Sequence, residues 1–393
     1  TGHYYLSRPT MKRLLLTLGV LLTLMAIYVT FFSPTTDLLS PIGPTLEPRI
    51  SNLESKSYVI LGFAPYWNLK KISPESLSTI THFAYFNLHL NGDGTLYTHV
   101  KKSEQDPGYT NYRRLLSNTI DYGNRPLIIT FMPESQSALA SSISSPQSRR
   151  KTIETILSVV TESRASGVNI DYEPLGDTPP SVRNSFTLFI KELKTSLQST
   201  SSSLLTVSIY GSAAAKPRIW DLIALTPYTD YFVVMTYDYT MPGSSTAGPN
   251  APLRGSGDIL EHDIVKNIAE ITKLVDSRKI LLGIPFYGYQ WDTIDSSKYS
   301  PSESKGVTAS LERIQSMLDE KTLDLVWDRN TLTPYGITSE GGQTSQIYFE
   351  NPDSMRLKMQ FVKSARLGGI AIWALGYEGN NSWVWPVISR LNH

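Results

Sequence analysis

The sequence contains no cysteine. That removes disulfides, thiolate metal sites, iron–sulfur clusters and cysteine nucleophiles together, although an exported protein can do without disulfides. Histidine is scarce: His3, His82, His89, His99, His262 and His393 show no HExxH or other ligand spacing, so no metal or other cofactor is expected. GxSxG, GxxxxGK[ST] and GxGxxG are all missing, which takes away the usual support for serine-hydrolase, P-loop and Rossmann readings. Net charge is nearly absent too. With 36 Lys+Arg against 35 Asp+Glu over 393 residues, the formal charge of +1 gives no reason to expect a nucleic-acid partner. What is present is apolar and aromatic. Hydrophobic residues make up 40% and charged residues only 18%, enough for a sizeable core, and 22 Tyr and 7 Trp need surfaces to sit on.

One long run also lacks charge. Residues 14–32, LLLTLGVLLTLMAIYVTFF, follow Arg8, Lys12 and Arg13. Nineteen helical residues reach about 28 Å, close to the ~30 Å of a bilayer's hydrocarbon core. A buried core helix of that length would carry a polar stripe, whereas the three Thr here do not share a face. The basic flank predicts a cytoplasmic segment 1–13 and a single-pass membrane protein whose remainder lies outside the cytoplasm. No clear A-x-A site follows, which favours an anchor over a cleaved signal and a secreted product. Met11 is a candidate start. Residues 33–56, with Pro34, Pro41, Pro44 and Pro48 and no apolar periodicity, read as a tether.

From residue 57 on, short apolar runs alternate with amphipathic stretches. The runs are 58–63, 80–86, 126–132, 167–172, 204–210, 231–237, 279–286 and 368–375, rich in Val, Ile, Phe and Tyr and nearly continuous, as strands buried on both faces should be. Helical patterns cover 150–165, 181–198 and 258–275. Eight strands with interleaved helices is the count of a (β/α)8 TIM barrel over 57–393, although a doubly wound open sheet would look similar locally. The long interval before the last strand predicts a small α+β insertion over 288–352, with a helix near 308–320 and a strand near 345–349.

The sharpest feature is Ser166-Gly-Val-Asn-Ile-Asp-Tyr-Glu173, at the C-terminal end of the fourth run. Strand periodicity puts Asn169, Asp171 and Glu173 on one face and Val168, Ile170 and Tyr172 on the other. Carboxyls at a strand end can simply cap a loop. Three polar residues on one face of an apolar strand, however, are costly to bury without a purpose. Two residues apart, Asp171 and Glu173 have Cα atoms roughly 6–7 Å apart on the same side. They are poorly placed to attack a glycosidic bond from opposite faces. An ionised Asp171 would still raise the pKa of Glu173 and keep it protonated as a general acid. The nucleophile would then come from another strand or from the substrate.

At these residues the sequence resembles the family-18 glycoside hydrolases, chitinase-type barrels whose fourth strand reads DGxDxDxE. Further matches are Met235-Thr-Tyr-Asp238, Gly248-Pro-Asn-Ala-Pro-Leu253, Leu282-Gly-Ile-Pro-Phe-Tyr-Gly288 and Gly368-Gly-Ile-Ala-Ile-Trp373, in the family's order. The resemblance runs from about Tyr58 to the C-terminus, and the family often carries an α+β insertion at the same place. It implies a retaining mechanism in which the substrate's own 2-acetamido group attacks the anomeric carbon. Carried to matching positions, Glu173 would protonate the leaving oxygen and later activate water, and Asp171 would orient the acetamido N–H. Tyr237 would hydrogen-bond the acetamido oxygen, Met235 and Asp238 would shape the same subsite, and Trp373 would floor it. A core Trp, or barrel filling by Tyr237 and Met235, is the plainer alternative. Asn169 and Asn250 are further candidates for substrate binding.

The chain departs from the family pattern in several places. The first two Asp of the motif are Ser166 and Asn169, the third strand reads Ile129-Thr-Phe-Met-Pro133 instead of SxGG, and Tyr289 stands where chitinases often have Arg. The GVNIDYE form and Gly288-Tyr-Gln-Trp291 are more similar to the bacterial spore-lysis and peptidoglycan N-acetylglucosaminidase branch. The resemblance therefore implies hydrolysis of β-1,4-linked N-acetylglucosamine polymers, chitin or peptidoglycan, as the glycan partner. The alternative is a catalytically silent glycan-binding barrel; silent relatives commonly lose the terminal Glu, and Glu173 is present.

Overall fold

The computed structural model describes residues 57–392 except 201, 202, 258 and 259. The expected membrane segment 14–32 and tether 33–56 lie outside the described residues. Among the described residues, no helix is long and apolar enough to cross a membrane.

Eight parallel strands close into a barrel: β1 Val59–Pro65, β2 His82–Leu90, β3 Leu127–Pro133, β4 Gly167–Ile170, β5 Leu204–Tyr210, β6 Tyr231–Met235, β7 Ile280–Pro285 and β8 Gly369–Trp373. Each pairs with its sequence neighbours, and β8 pairs with β1 through Val59↔Gly369 to Gly62↔Ile372. Closure leaves this sheet no free edge, so the open-sheet alternative falls away. Gly369 permits the seam, because a Cβ there would lie 1.9 Å from the Val59 carbonyl oxygen.

Alternation sorts the side chains into two layers. Leu61, Phe63, Ala84, Ile128, Val233 and Leu281 fill the barrel, whereas Ile60, Ile129, Val168, Ile170, Val234 and Leu282 face the surrounding helices. The helix Pro146–Ser163 is capped by Ser145, whose side chain accepts from the Ser148 amide at 3.0 Å, and ends at left-handed Arg164. It buries Ile153, Ile156, Val159 and Val160. Its neighbour Pro180–Leu197 buries Phe186, Phe189, Ile190 and Leu193. Burial of this kind is worth about 1.5–3 kcal/mol per large side chain.

Two expectations are altered. The helix read over 258–275 is confined to Ile264–Ile271, because Asp263 turns its carboxylate to the Lys266 amide at 2.7 Å and caps the helix there. The insertion is richer in strand than its pattern suggests. It forms an antiparallel sheet of Tyr287–Thr293, Val307–Ser310, Asp324–Asp328, Thr333–Glu340 and Gln343–Tyr348, with a helix at Leu311–Asp319. Stacked aromatics hold that sheet: Tyr335 on Tyr348 at 5.0 Å, and Tyr299 on Tyr348 at 6.2 Å.

Candidate active site

A cavity of about 620 Å³ opens at the C-terminal ends of the strands, where barrel enzymes assemble their sites from strand ends and loops. β4 supplies its acids. Past Ile170 the chain keeps the alternation, so Tyr172 turns outward onto Phe189 at 5.8 Å while Asp171 and Glu173 enter the cavity. Gln136 clamps this turn from outside: its Nε2 donates to the Glu173 carbonyl at 2.8 Å, and its Oε1 accepts from the Leu175 amide at 3.1 Å. No sequence pattern pointed to Gln136.

Asp171 is buried, and its Oδ1 has no hydrogen-bond partner among the described residues. Burial first and the Glu173 charge second push its pKa well up, opposed by the nearby Ser208 hydroxyl. Glu173 is also raised, chiefly by burial and further by the charge of Asp238, with the Tyr210 hydroxyl opposing. Glu173 thus favours holding a proton, as a general acid requires, and a proton there removes the part of the Asp171 rise that comes from the Glu173 charge.

The other walls come from β2, β5, β6 and β8 with the loops that follow them, and from Tyr287 just past β7. Met235 and Tyr237 line the cavity, and Tyr237 stands edge-on to Tyr287 at 6.1 Å. Asp238, in left-handed conformation with φ 62°, also lines it. Its Oδ1 accepts from the Tyr287 hydroxyl at 2.5 Å and the Tyr289 hydroxyl at 2.8 Å. Burial raises the Asp238 pKa, and both phenols oppose the rise. Tyr289 therefore supplies a neutral donor at the position where the family pattern often has a cation. Trp373 is half-buried in the cavity wall, with Phe86 edge-on at 4.5 Å and Phe63 at 6.0 Å. Beyond it lies Trp67, 49% exposed and 6.4 Å from Trp373, a platform that the sequence reading missed.

Two expected substrate contacts sit elsewhere. Asn169 is fully buried one layer below the cavity. Its Nδ2 donates to Ser208 Oγ at 3.1 Å, and its Oδ1 accepts from Thr206 Oγ1 at 2.7 Å. Asn250 is buried as well; it accepts from the Asp238 amide at 2.8 Å and donates to the Tyr287 carbonyl at 3.0 Å. Neither lines the cavity. Asn250 holds the Asp238 backbone in place, and Asn169 joins Thr206 to Ser208 beneath Asp171.

Residues 59–378 match the model of the glycosyl hydrolases family 18. The chain belongs to this glycoside hydrolase family. YdhD of Bacillus subtilis is 26% identical over 237 residues, 59% of this chain and 52% of that protein. The Bacillus subtilis cortical fragment-lytic enzyme is 21% identical over 329 residues, covering 81% of this chain and 69% of the enzyme. The human di-N-acetylchitobiase is 23% identical over 260 residues, 60% of this chain and 65% of that enzyme. Over the first of these relatives the chain spans about half the length. Among solved structures, the Ostrinia furnacalis Group IV chitinase superposes with a TM-score of 0.73 at 20% identity, covering 86% of this chain and 100% of that one. A Cycas revoluta family-18 chitinase in complex with (GlcNAc)3 also gives 0.73, at 19% identity over 85% of this chain and 99% of that one. At such identities these structures bear on the fold.

Proposed function

We propose that the protein is a retaining, substrate-assisted hydrolase of β-1,4-linked glycans containing N-acetylglucosamine. The observation that carries this reading is the buried Oδ1 of Asp171, unpartnered among the described residues, beside Glu173. It is an acceptor waiting for a donor, which an acetamido N–H supplies. The third cavity carboxylate, Asp238, has one oxygen occupied by two phenols and is poorly suited to attack an anomeric carbon.

In the proposed reaction the 2-acetamido oxygen attacks C1 as the bond from C1 to the leaving oxygen breaks. The Glu173 proton passes to that oxygen. Asp171 accepts from the acetamido N–H and balances the positive oxazolinium, while the Tyr237 hydroxyl donates to the acetamido oxygen. Glu173, now a carboxylate, takes a proton from water as the water adds to C1 from the vacated face; the bond from C1 to the acetamido oxygen breaks, the acetamido group is regenerated and the configuration is retained. An internal nucleophile held in line lowers a barrier by on the order of 7–11 kcal/mol. The Trp373 indole offers an apolar face to the sugar ring.

The test is to incubate the full chain separately with chitooligosaccharides and purified peptidoglycan and read products by mass spectrometry. Cleavage lost in Glu173→Gln supports the reading. Binding without cleavage by the parent protein overturns it in favour of a silent lectin. We further propose that residues 14–32 tether this domain outside the cytoplasmic membrane. Recovery from cells of a fully soluble product that has lost residues 1–32 would oppose a tether.

A further inference from the structure

Arg218 stands in the cavity wall without an assigned role. It lies in the loop after β5 with φ 46°, and its guanidinium sits over the Tyr210 ring at 4.7 Å from the centroid. Among the described residues it joins no ion pair. The Arg183 side chain donates to the Arg218 carbonyl at 2.6 Å, which fixes the backbone at that point. An aromatic face beneath and a held backbone pre-orient the planar fork, leaving its N–H groups for a ligand.

The barrel order places this cation relative to the chemistry. β8 and β4 are four strands apart in a ring of eight, so Trp373 and Glu173 face each other across the cavity. A sugar seated on Trp373 points its scissile oxygen at Glu173. The leaving portion must then extend past Glu173 toward the loops after β4 and β5. Tyr210 bridges the two, with its hydroxyl at Glu173 and its ring under Arg218. The same wall carries the Tyr239 hydroxyl and the Asn267 Oδ1, both buried and unpartnered among the described residues. This side of the cavity is thus polar and cationic, in contrast to the aromatic side at Phe86 and Trp373.

We propose that Arg218 forms a carboxylate-binding subsite on the leaving side of Glu173. The substrate class this selects is N-acetylglucosamine β-1,4-linked to a sugar that carries a carboxylate. A guanidinium fork matches a carboxylate with two parallel, charge-assisted hydrogen bonds, whereas the hydroxyls of a neutral sugar use neither its charge nor its planarity fully. Two sources share that chemistry: the lactyl ether of a muramic-type sugar, and a uronic acid. This inference rests on the hydrolase reading for its account of where the leaving sugar lies.

The test compares four glycans on the full chain. They are chitotetraose, peptide-free peptidoglycan strands with free lactyl carboxylates, the same strands with those carboxyls reduced to alcohols, and hyaluronan oligosaccharides. The expected result is a kcat/KM at least tenfold higher on one of the carboxylated glycans than on the reduced strands. Arg218→Gln should lower that ratio tenfold or more, with Arg218→Lys between the two. The carboxylated glycan that shows the preference identifies the source. Equal loss on neutral and carboxylated glycans in Arg218→Gln, or no preference in the parent, overturns the subsite. Calorimetric binding to Glu173→Gln keeps the two ideas separate. If nothing is cleaved but carboxylated strands bind better and Arg218→Gln erases the difference, the subsite stands and the hydrolase reading falls. If chitotetraose and the reduced strands are cleaved as readily as the carboxylated glycans, the reverse holds.

Discussion

Burial, more than any neighbouring charge, sets the protonation of the two carboxyls at the end of β4. Glu173 lies above the ordinary carboxylate range because its surroundings disfavour the anion, and Asp171 is raised by burial and then by the Glu173 charge. In the proposed reaction the protonated form of Glu173 is the catalytic one. Turnover should therefore persist above the usual carboxylate pKa and fall as pH rises through the elevated one, and a kcat/KM profile against pH checks this. An alkaline limb centred near the unperturbed value of Glu would contradict the burial argument. Asp171→Asn should cut turnover by about 100-fold or more on acetylated substrate, within the range typical of lost acid–base and electrostatic assistance. Equal loss on a de-acetylated substrate would count against participation by the acetamido group. At this scale the alternation of Asn169, Asp171 and Glu173 was legible, because strand periodicity is a local property. The failure of Asn169 and Asn250 to reach the cavity was not. Depth along a barrel strand depends on how neighbouring strands are staggered, and Asn169 pairs between Thr130 and Thr206 below the rim.

Elements were mostly readable where their apolar patterns were long. All eight barrel strands overlap the apolar runs, and the helices Pro146–Ser163 and Pro180–Leu197 lie within a few residues of their expected bounds. The insertion was harder, since its short strands are held by tyrosine stacking and pairing between distant segments. At the end of that insertion, Glu350 and Lys358 form a wholly buried ion pair at 2.7 and 2.8 Å, with Ser354 Oγ donating to Glu350 at 2.7 Å. This ties the helix Pro352–Ser364 to the segment that joins it to the strand Gln343–Tyr348. Neither residue stood out in the sequence, because isolated Glu and Lys ordinarily signal a solvated face. Lys358→Met strands the carboxylate and should cost about 3–5 kcal/mol in urea unfolding at neutral pH. Adding Glu350→Gln should recover part of that loss, and no recovery would mean the pair is not the cause.

For the whole molecule, pH and stability are linked through a group away from the acids of β4. Glu378 is buried in the loop after β8; one oxygen accepts from the Gly376 amide at 2.6 Å and the other is unpartnered among the described residues. Burial, foremost, pushes its pKa from 4.5 up to about 7. The folded state therefore binds this proton more tightly than the unfolded chain. That contribution is full below about pH 4.5 and is lost as pH rises through about 7. Glu378→Gln should flatten the fall in Tm between those limits, and an unchanged slope would remove Glu378 from the account. The sequence by itself determined the alternation of strands and helices, the acid-bearing strand and the family motifs, because periodicity and contiguous motifs are carried by neighbouring residues. Only the tertiary structure decided which polar residues reach the cavity. It also brought Tyr289 to Asp238 and Gln136 to the acid turn. Those contacts join residues tens of positions apart, and barrel closure alone fixes their distances.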